Sequence, residues 1–463
     1  MLLNDTRDDR HAPLRILSLD AEAQGVGRLP MDDDSGKPGK VVFVEGALPG
    51  ELVRFKIWNN KRSYAKANLT EVLQASSQRV EPRCQYYRTC GGCAMQHFDT
   101  RGQLAIKQRV IEDNLWHLAK LKPECVLRPI AGPDWGYRYR ARLTVRDVPS
   151  AGGVLIGFHA RKRSYVVDML SCEVLPPHVS ALLPALRTLV AGLSMHDRLP
   201  QIELAMGEHG GGTATALVLR ILKPLLSADH ALLKRFATEH EVQIWVQPEG
   251  PESVAQLYPL PGEGQELAYG LPEFGIVMPF MPTDFTQVNH RVNRVLVSTA
   301  LRLLGTQLGE KVLDLFCGIG NFTLPLATQA ASVVGIEGSP VLTRRAQANA
   351  VRNGLGAKTR FESRNLFEVD AEAIARLGGF DRWLIDPPRE GALAVSKALA
   401  QLHAGGQEAF LPRRIVYVSC NPDMLARDAG LLVHEGGYKL EEVGVVNMFP
   451  HTAHVESVAV FQR

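Results

Sequence analysis

The sequence lacks the features that would carry it into or through a membrane. Its first residues (MLLNDTRDDR) have no apolar core of a secretory signal. No uninterrupted apolar run approaches the roughly 20 residues that span a bilayer. It also lacks a strong charge bias: 52 Lys and Arg against 49 Asp and Glu leave a formal net charge of +3. Bulk charge therefore names no partner, and only its local distribution is informative. Cysteine is scarce, with seven in 463 residues. An odd number without scaffold-like spacing argues against a disulfide framework and fits a reducing cytoplasm, where clustered thiols read as metal ligands or nucleophiles. What is present is ordinary for a globular protein: 45% hydrophobic and 22% charged residues. The length allows two or three domains, each with its own core.

Residues 1–78 read as short strands broken by turns. Leu14–Leu19, 41–44 and 51–57 have strand character, with a turn at 48–50. This predicts a small β-barrel, with the polar stretch 32–39 as an exposed hairpin tip. Between Arg54 and Lys66 there are five basic residues and no acid, with Phe55, Trp58 and Tyr64 interleaved. Cations meet phosphates and flat rings meet bases, so a nucleic-acid surface fits. A lysine-protected barrel edge fits the same residues.

Residues 79–285 read as a central α+β domain. A helix is expected over 101–120, with Leu104, Gln108, Ile111 and Leu115 on one side and a face that packs on the catalytic domain. The strand 137–146 (YRYRARLTVR) alternates: Tyr137, Tyr139, Ala141, Leu143 and Val145 face one way, and Arg138, Arg140, Arg142 and Arg146 the other. Four guanidiniums on one face repel unless an anion offsets them, and RNA is favoured over an internal acid. Arg161, Lys162 and Arg163 are expected on the next strand. Helices near 180–193 and 227–240 and strands at 215–221 and 242–246 complete this region.

Residues 286–463 alternate strand, loop and helix, which predicts a doubly wound parallel sheet with a closing strand pair at 442–447 and 455–462. The loop 314–322 (DLFCGIGNF) follows a strand and opens a helix. Gly318 and Gly320 allow close backbone approach to a ligand, but the third glycine of a dinucleotide fingerprint is missing. Glu337 ends the next strand, where an acid holds ribose hydroxyls, and residues 386–389 (DPPR) end another. Together these resemble a class I (Rossmann-like) S-adenosylmethionine methyltransferase rather than a dehydrogenase.

Two thiol sets carry further chemistry. Cys84, Cys90 and Cys93, spaced by five and two residues, with a remote Cys172, suit a metal; from the residues alone zinc and iron–sulfur both remain open. Cys420, at the end of the strand run 414–422 (RIVYVSCNP), sits where a nucleophile would meet the cofactor. Glu456 follows two histidines in 449–457 (FPHTAHVES) and is a candidate general base. Cys125 has no partner motif.

Segments 386–389, 419–422 and 449–457 together resemble the RNA (uracil-C5)-methyltransferase family, over most of the chain. The resemblance implies a TRAM (OB-like) barrel, a 4Fe–4S cluster on Cys84, Cys90, Cys93 and Cys172, and the TRAM-bearing type that acts on 23S ribosomal RNA. It implies Cys420 as nucleophile and Glu456 as proton-abstracting base. It places Gln287, Phe316, Asn321, Glu337, Asn365 and Asp386 at the S-adenosylmethionine, with Cys317 structural. The enzyme so implied is a cytoplasmic monomer. A tRNA or a second 23S uridine as target, and a non-catalytic iron–sulfur RNA-binding protein, are the alternatives. A cytosine-C5 enzyme fits less well, because Pro387-Pro388-Arg389 stands where that class places a Pro-Cys.

Overall fold

Alternation of apolar and polar residues along the N-terminal strands dictates a barrel with one wet and one dry face. The computed structural model describes residues 12–30 and 39–463. It forms two compact units, one running to Val110 and including Pro450–Ala453, the other Ile111–Phe449 with His454–Arg463. In the first, β1 (Leu14–Leu19), β2 (Gly25–Arg28), β3 (Val41–Glu45), β4 (Leu52–Asn60) and β5 (Tyr64–Gln74) close a barrel in the order β1-β2-β3-β5-β4. Along β4, Val53 and Phe55 are buried while Arg54 and Lys56 are exposed. The inward residues, among them Ile16, Val42, Val44 and Ala65, make the barrel core. Gly27 is needed for close approach, since a Cβ there would lie 2.8 Å from the Arg15 carbonyl oxygen. The expected hairpin tip at 32–39 falls almost wholly outside the described residues.

Glu51 ties the barrel to the segment that follows it. Its buried carboxylate accepts the amides of Leu48 (2.8 Å) and Ser76 (3.2 Å) and a two-pronged contact from Arg79 at 2.5 and 2.7 Å. The expected helix then forms as α1 (Thr100–Ala119).

The second unit holds two sheets. The short β6 (Cys125–Val126) belongs to the catalytic sheet. The central sheet comprises β7 (Arg140–Val148), β8 (Gly153–Gly157), β9 (Gln201–His209), β10 (Gly212–Arg220), β11 (Gln243–Gln247), β12 (Ala255–Tyr258), β13 (Ala268–Leu271) and β14 (Ile276–Pro279), with helices α2 (Pro177–Gly192) and α3 (Ser227–Glu239). The predicted alternation over 137–146 is present, with Tyr137, Tyr139, Ala141, Leu143 and Val145 all buried. The hydrogen-bonded strand itself starts only at Arg140. Arg161, Lys162 and Arg163 lie on a turn closed by a His159–Val166 bridge, not on a strand.

The catalytic sheet continues with α4 (His290–Leu304), β15 (Lys311–Leu315), α5 (Thr323–Gln329), β16 (Ser332–Glu337), α6 (Pro340–Arg352), β17 (Thr359–Ser363), α7 (Ala371–Leu377), β18 (Arg382–Ile385), α8 (Leu393–Ala404), β19 (Arg414–Ser419), α9 (Pro422–His434), β20 (Lys439–Val446) and β21 (Glu456–Gln462). Its order is β17-β16-β15-β18-β19-β21-β20-β6. Strands β15 to β19 run parallel, and β21 is inserted antiparallel between β19 and β20. One hydrophobic core runs from central-sheet residues such as Val218 and Met278 to Val312, Val416 and Val460.

Burial alone would raise the Glu51 carboxyl, but the Arg79 contact and two amides outweigh it and hold the pKa below the ordinary value. A depressed folded pKa stabilises above the ordinary carboxylate range, and that stabilisation is lost as pH falls through the folded value. Glu51→Ala leaves Arg79 uncompensated and should destabilise the barrel by about 3 kcal/mol. Amide hydrogen exchange of the barrel strands tests this; unchanged protection would contradict it.

Candidate active site

Parallel strands that share a register end at one edge, and that edge collects the chemistry. Leu315 pairs with both Ile336 and Ile385, and Ile385 with Tyr417. Phe316, Glu337, Asp386 and Cys420 therefore stand at successive carboxyl ends, where ligands of doubly wound sheets bind. The antiparallel strand β21 brings its amino end to the same edge. Ser419 pairs with Ser457, whose hydroxyl donates to the Ser419 carbonyl at 3.1 Å. Extending that register by one residue sets Cys420 opposite Glu456.

The glycine loop adopts an unusual shape. Phe316, Gly318 and Gly320 have φ of 63°, 54° and 96°. A Cβ on Gly318 would meet nothing within 4 Å, so the loop is open on that side. Glu337 accepts the Gly318 amide at 3.1 Å and the Ser339 amide at 3.0 Å, which aims its carboxylate at the loop. Asp314 beneath the loop accepts the Thr323 hydroxyl, and its other oxygen is buried with no partner among the described residues. Burial, with Asp386 and Glu337 nearby, pushes its carboxyl up to about 8 against the opposing Thr323 hydrogen bond. Asn365 is exposed, its Oδ1 accepting the Phe367 amide at 3.1 Å, and the Phe367 ring lies 5.7 Å from that of Phe316. Gln287 is half-buried just before α4, beside the cap residue Asn289. An acid, an exposed amide, two rings and an open glycine turn suit a nucleoside with a ribose diol, and so fit S-adenosylmethionine.

Around Cys420 the field is negative. Burial, then Glu456 and Asp386, push its thiol up to about 12, while the Arg389 guanidinium pulls the other way. Burial raises Asp386 to about 7, and burial with Asp386 raises Glu456 well above the carboxylate range. Burial and the neighbouring acids thus disfavour the charged forms of both Cys420 and Glu456. The local geometry is firm: Asn421 caps α9, donates Nδ2 to the Arg389 carbonyl at 2.9 Å, and donates its backbone amide to the Ser419 hydroxyl oxygen at 3.2 Å. Arg389, in the segment 386–389, is the cation that opposes the acids at Cys420. Cys420 also precedes the amino end of α9, whose partial positive charge favours a thiolate.

Cys84, Cys90 and Cys93 lie in a turn-rich segment, where the Gly92 amide donates to Cys90 Sγ at 3.3 Å. Cys172 is buried, its amide donating to Ser180 Oγ at 2.8 Å. Among the described residues no group of three or more His, Cys, Asp or Glu is arranged around a metal position. Cys317 is buried within the glycine loop, where a Cβ on Gly335 would come within 2.9 Å of its sulfur, so it is a packing residue.

Arg140 corrects the expectation that the arginine face is wholly open to RNA. Arg140 is half-buried and donates to the carbonyls of Pro282 (3.0 Å) and Asp284. Arg142 pairs with Glu203 at 2.9 Å. Arg140 is thus offset by carbonyls of the 282–284 loop, while the exposed Arg142 has Glu203 of β9 beside it.

Sheet and edge are those of a class I S-adenosylmethionine-dependent methyltransferase. Residues 275–463 match the tRNA (Uracil-5-)-methyltransferase family and residues 12–70 the TRAM domain. The 23S rRNA (uracil(1939)-C(5))-methyltransferase RlmD of Cupriavidus metallidurans is 67% identical over 450 residues, covering 97% of this chain and 94% of the relative. That of Ralstonia nicotianae is 66% identical over 453 residues, covering 97% and 99%. The crystal structure of Pyrococcus abyssi tRNA (uracil-54, C5)-methyltransferase in complex with S-adenosyl-L-homocysteine shares the fold, with a TM-score of 0.71 at 24% identity over 98% of this chain and 100% of that one. The chain belongs to the RNA (uracil-C5)-methyltransferase family.

A thiol whose pKa is raised by burial and by neighbouring carboxyl groups should react slowly. In a Cys125→Ser background, Cys420 alkylation by iodoacetamide near pH 8 should be at least about tenfold slower than that of free cysteine. Removing a negative neighbour lowers a thiol pKa, so Asp386→Asn should accelerate it. Slower alkylation in that variant, read by peptide mass mapping, would contradict the electrostatic picture.

Proposed function

We propose that the protein methylates C5 of one uridine in 23S ribosomal RNA, with Cys420 as nucleophile and Glu456 as base. The observation that supports this reading is the β19–β21 register, paired as far as Ser419 and Ser457, whose extension by one residue would bring Cys420 opposite Glu456. The near-full-length relatives at 66–67% identity support the substrate. Uracil C5 is a poor nucleophile. Addition of the Cys420 thiolate to C6 converts the ring to an enolate, and C5 then attacks an electrophilic methyl group. When bound, S-adenosylmethionine supplies that methyl and a sulfonium charge that offsets the acids. Glu337, Asn365, Phe316, Gln287, Asn321 and Asp386 are the residues we assign to holding it. Glu456 then takes the C5 proton, and the thiolate leaves. A high-pKa carboxylate, once ionised, is the stronger base such a carbon acid needs. The uridine must be flipped from its stack to reach this edge.

We assign RNA grip to residues 1–78, the central region to 79–285 and methyl transfer to 286–463. The TRAM match and the exposed Lys56, Lys61 and Arg62 support the first assignment. We further assign Cys84, Cys90, Cys93 and Cys172 to a 4Fe–4S cluster; four thiols, one already receiving an amide hydrogen bond, suit that chemistry. Its role would be structural, since methyl transfer moves no net electron.

Cys420→Ala should abolish turnover and form no covalent RNA complex. Glu456→Gln should still attack and methylate but fail to remove the C5 proton. It should accumulate a methyl-containing protein–RNA adduct that survives denaturing electrophoresis. Normal turnover by the Glu456 variant would refute the base assignment; retained activity in Cys420→Ala would refute the mechanism.

Anaerobically prepared protein should contain four iron and four sulfide per chain, as the cluster formula requires. Substituting any of the four cysteines should lose them. Stoichiometric zinc without iron would overturn the cluster assignment.

A further inference from the structure

Asn321 lies in the glycine loop, yet its side chain is turned to the protein. Tyr269, buried on β13, donates its hydroxyl to Asn321 Oδ1 at 2.8 Å. Asn293 on α4 closes a two-way amide pair: its Nδ2 donates to the same oxygen at 2.9 Å, and its Oδ1 accepts from Asn321 Nδ2 at 3.1 Å. A side-chain amide has two acceptor lone pairs and two donor hydrogens. Both lone pairs and one hydrogen are used here. Asn349 on α6 adds a further tie, donating to the Ile319 carbonyl at 3.2 Å. The loop needs such ties, because a non-glycine residue at φ 63°, Phe316, persists only where its surroundings hold it there. Helix and strand are themselves clamped: Arg294 on α4 donates to the carbonyls of Gly270 (3.0 Å) and Glu208 (3.4 Å).

We propose that Asn321 meets the cofactor through its backbone, and that Tyr269 and Asn293 are positioning residues that hold residues 317–321 in the binding conformation. This rests on the reading of the loop as the S-adenosylmethionine cradle. It makes strand β13 of the central sheet part of the cofactor site without touching the cofactor.

Calorimetric titration of the full chain with S-adenosylhomocysteine tests it, with binding of a 23S RNA fragment measured in parallel. Asn293→Ala, Tyr269→Phe and Asn321→Ala should each weaken the nucleoside by roughly five- to tenfold, the loss expected for one hydrogen-bonding partner. The Asn293→Ala/Asn321→Ala double variant should be no weaker than Asn321→Ala alone, because that change already removes the amide pair. RNA affinity should be unchanged. The proposal is overturned if Asn293→Ala and Tyr269→Phe bind like wild type while Asn321→Ala alone is weakened, or if nucleoside and RNA affinity fall together. Should Asn293→Ala fail to fold, Tyr269→Phe, which keeps the ring, decides. Wild type that does not bind S-adenosylhomocysteine would refute the cradle reading itself.

Discussion

The antiparallel ladder between Arg414–Ser419 and Glu456–Gln462 is the constraint on which the site depends. Parallel strands alone present only their carboxyl ends at the ligand edge, so a thiol ending β19 would have no partner from a following strand. Reversing the final strand delivers its first residue to that edge, beside the last residue of β19. The register is held by buried Val416, Val418, Val458 and Val460, all in the main core. A slip of one residue would turn Glu456 to the opposite face, and these valines with it. Core packing therefore specifies the distance over which the proposed nucleophile and base cooperate.

Electrostatics set the resting state of that pair. Asp386, Glu456 and Cys420 share a half-buried edge, and together their charges would be costly. Burial and mutual repulsion favour the neutral forms, raising the Glu456 carboxyl well above its ordinary value and the Cys420 thiol to about 12. Arg389 and the start of α9 stand ready to favour the thiolate. A nucleophile kept neutral until a cationic cofactor and a uridine arrive is protected from idle oxidation and alkylation.

The catalytic half was largely legible because strand-ending motifs are local. Glu337, Asp386 and Cys420 each sit at the end of an apolar run, and a doubly wound pattern sends all such ends to one edge. Glu456 was legible only through the family motif, since a lone glutamate at a strand start is usually a solvated charge. Arg140 misled because period-two geometry reports a shared face but not what lies across from it; its partners are carbonyls more than 140 residues away. Tyr269 and Asn293 were invisible for the same reason, as neither lies in a motif and their meeting with Asn321 is purely tertiary. The strand β6 was missed because two residues carry no periodicity.

The central claim is that Cys420 bonds to the uridine that is methylated. Replacing the target with 5-fluorouridine tests it, because fluorine cannot leave as a cation after methyl transfer and no base can then release the thiol. Peptide mapping of the wild-type complex by mass spectrometry should find one adduct, on Cys420, carrying both the fluorinated uridine and one transferred methyl. An adduct on any other residue, or methyl transfer to the fluorinated RNA without a covalent complex, would contradict the account.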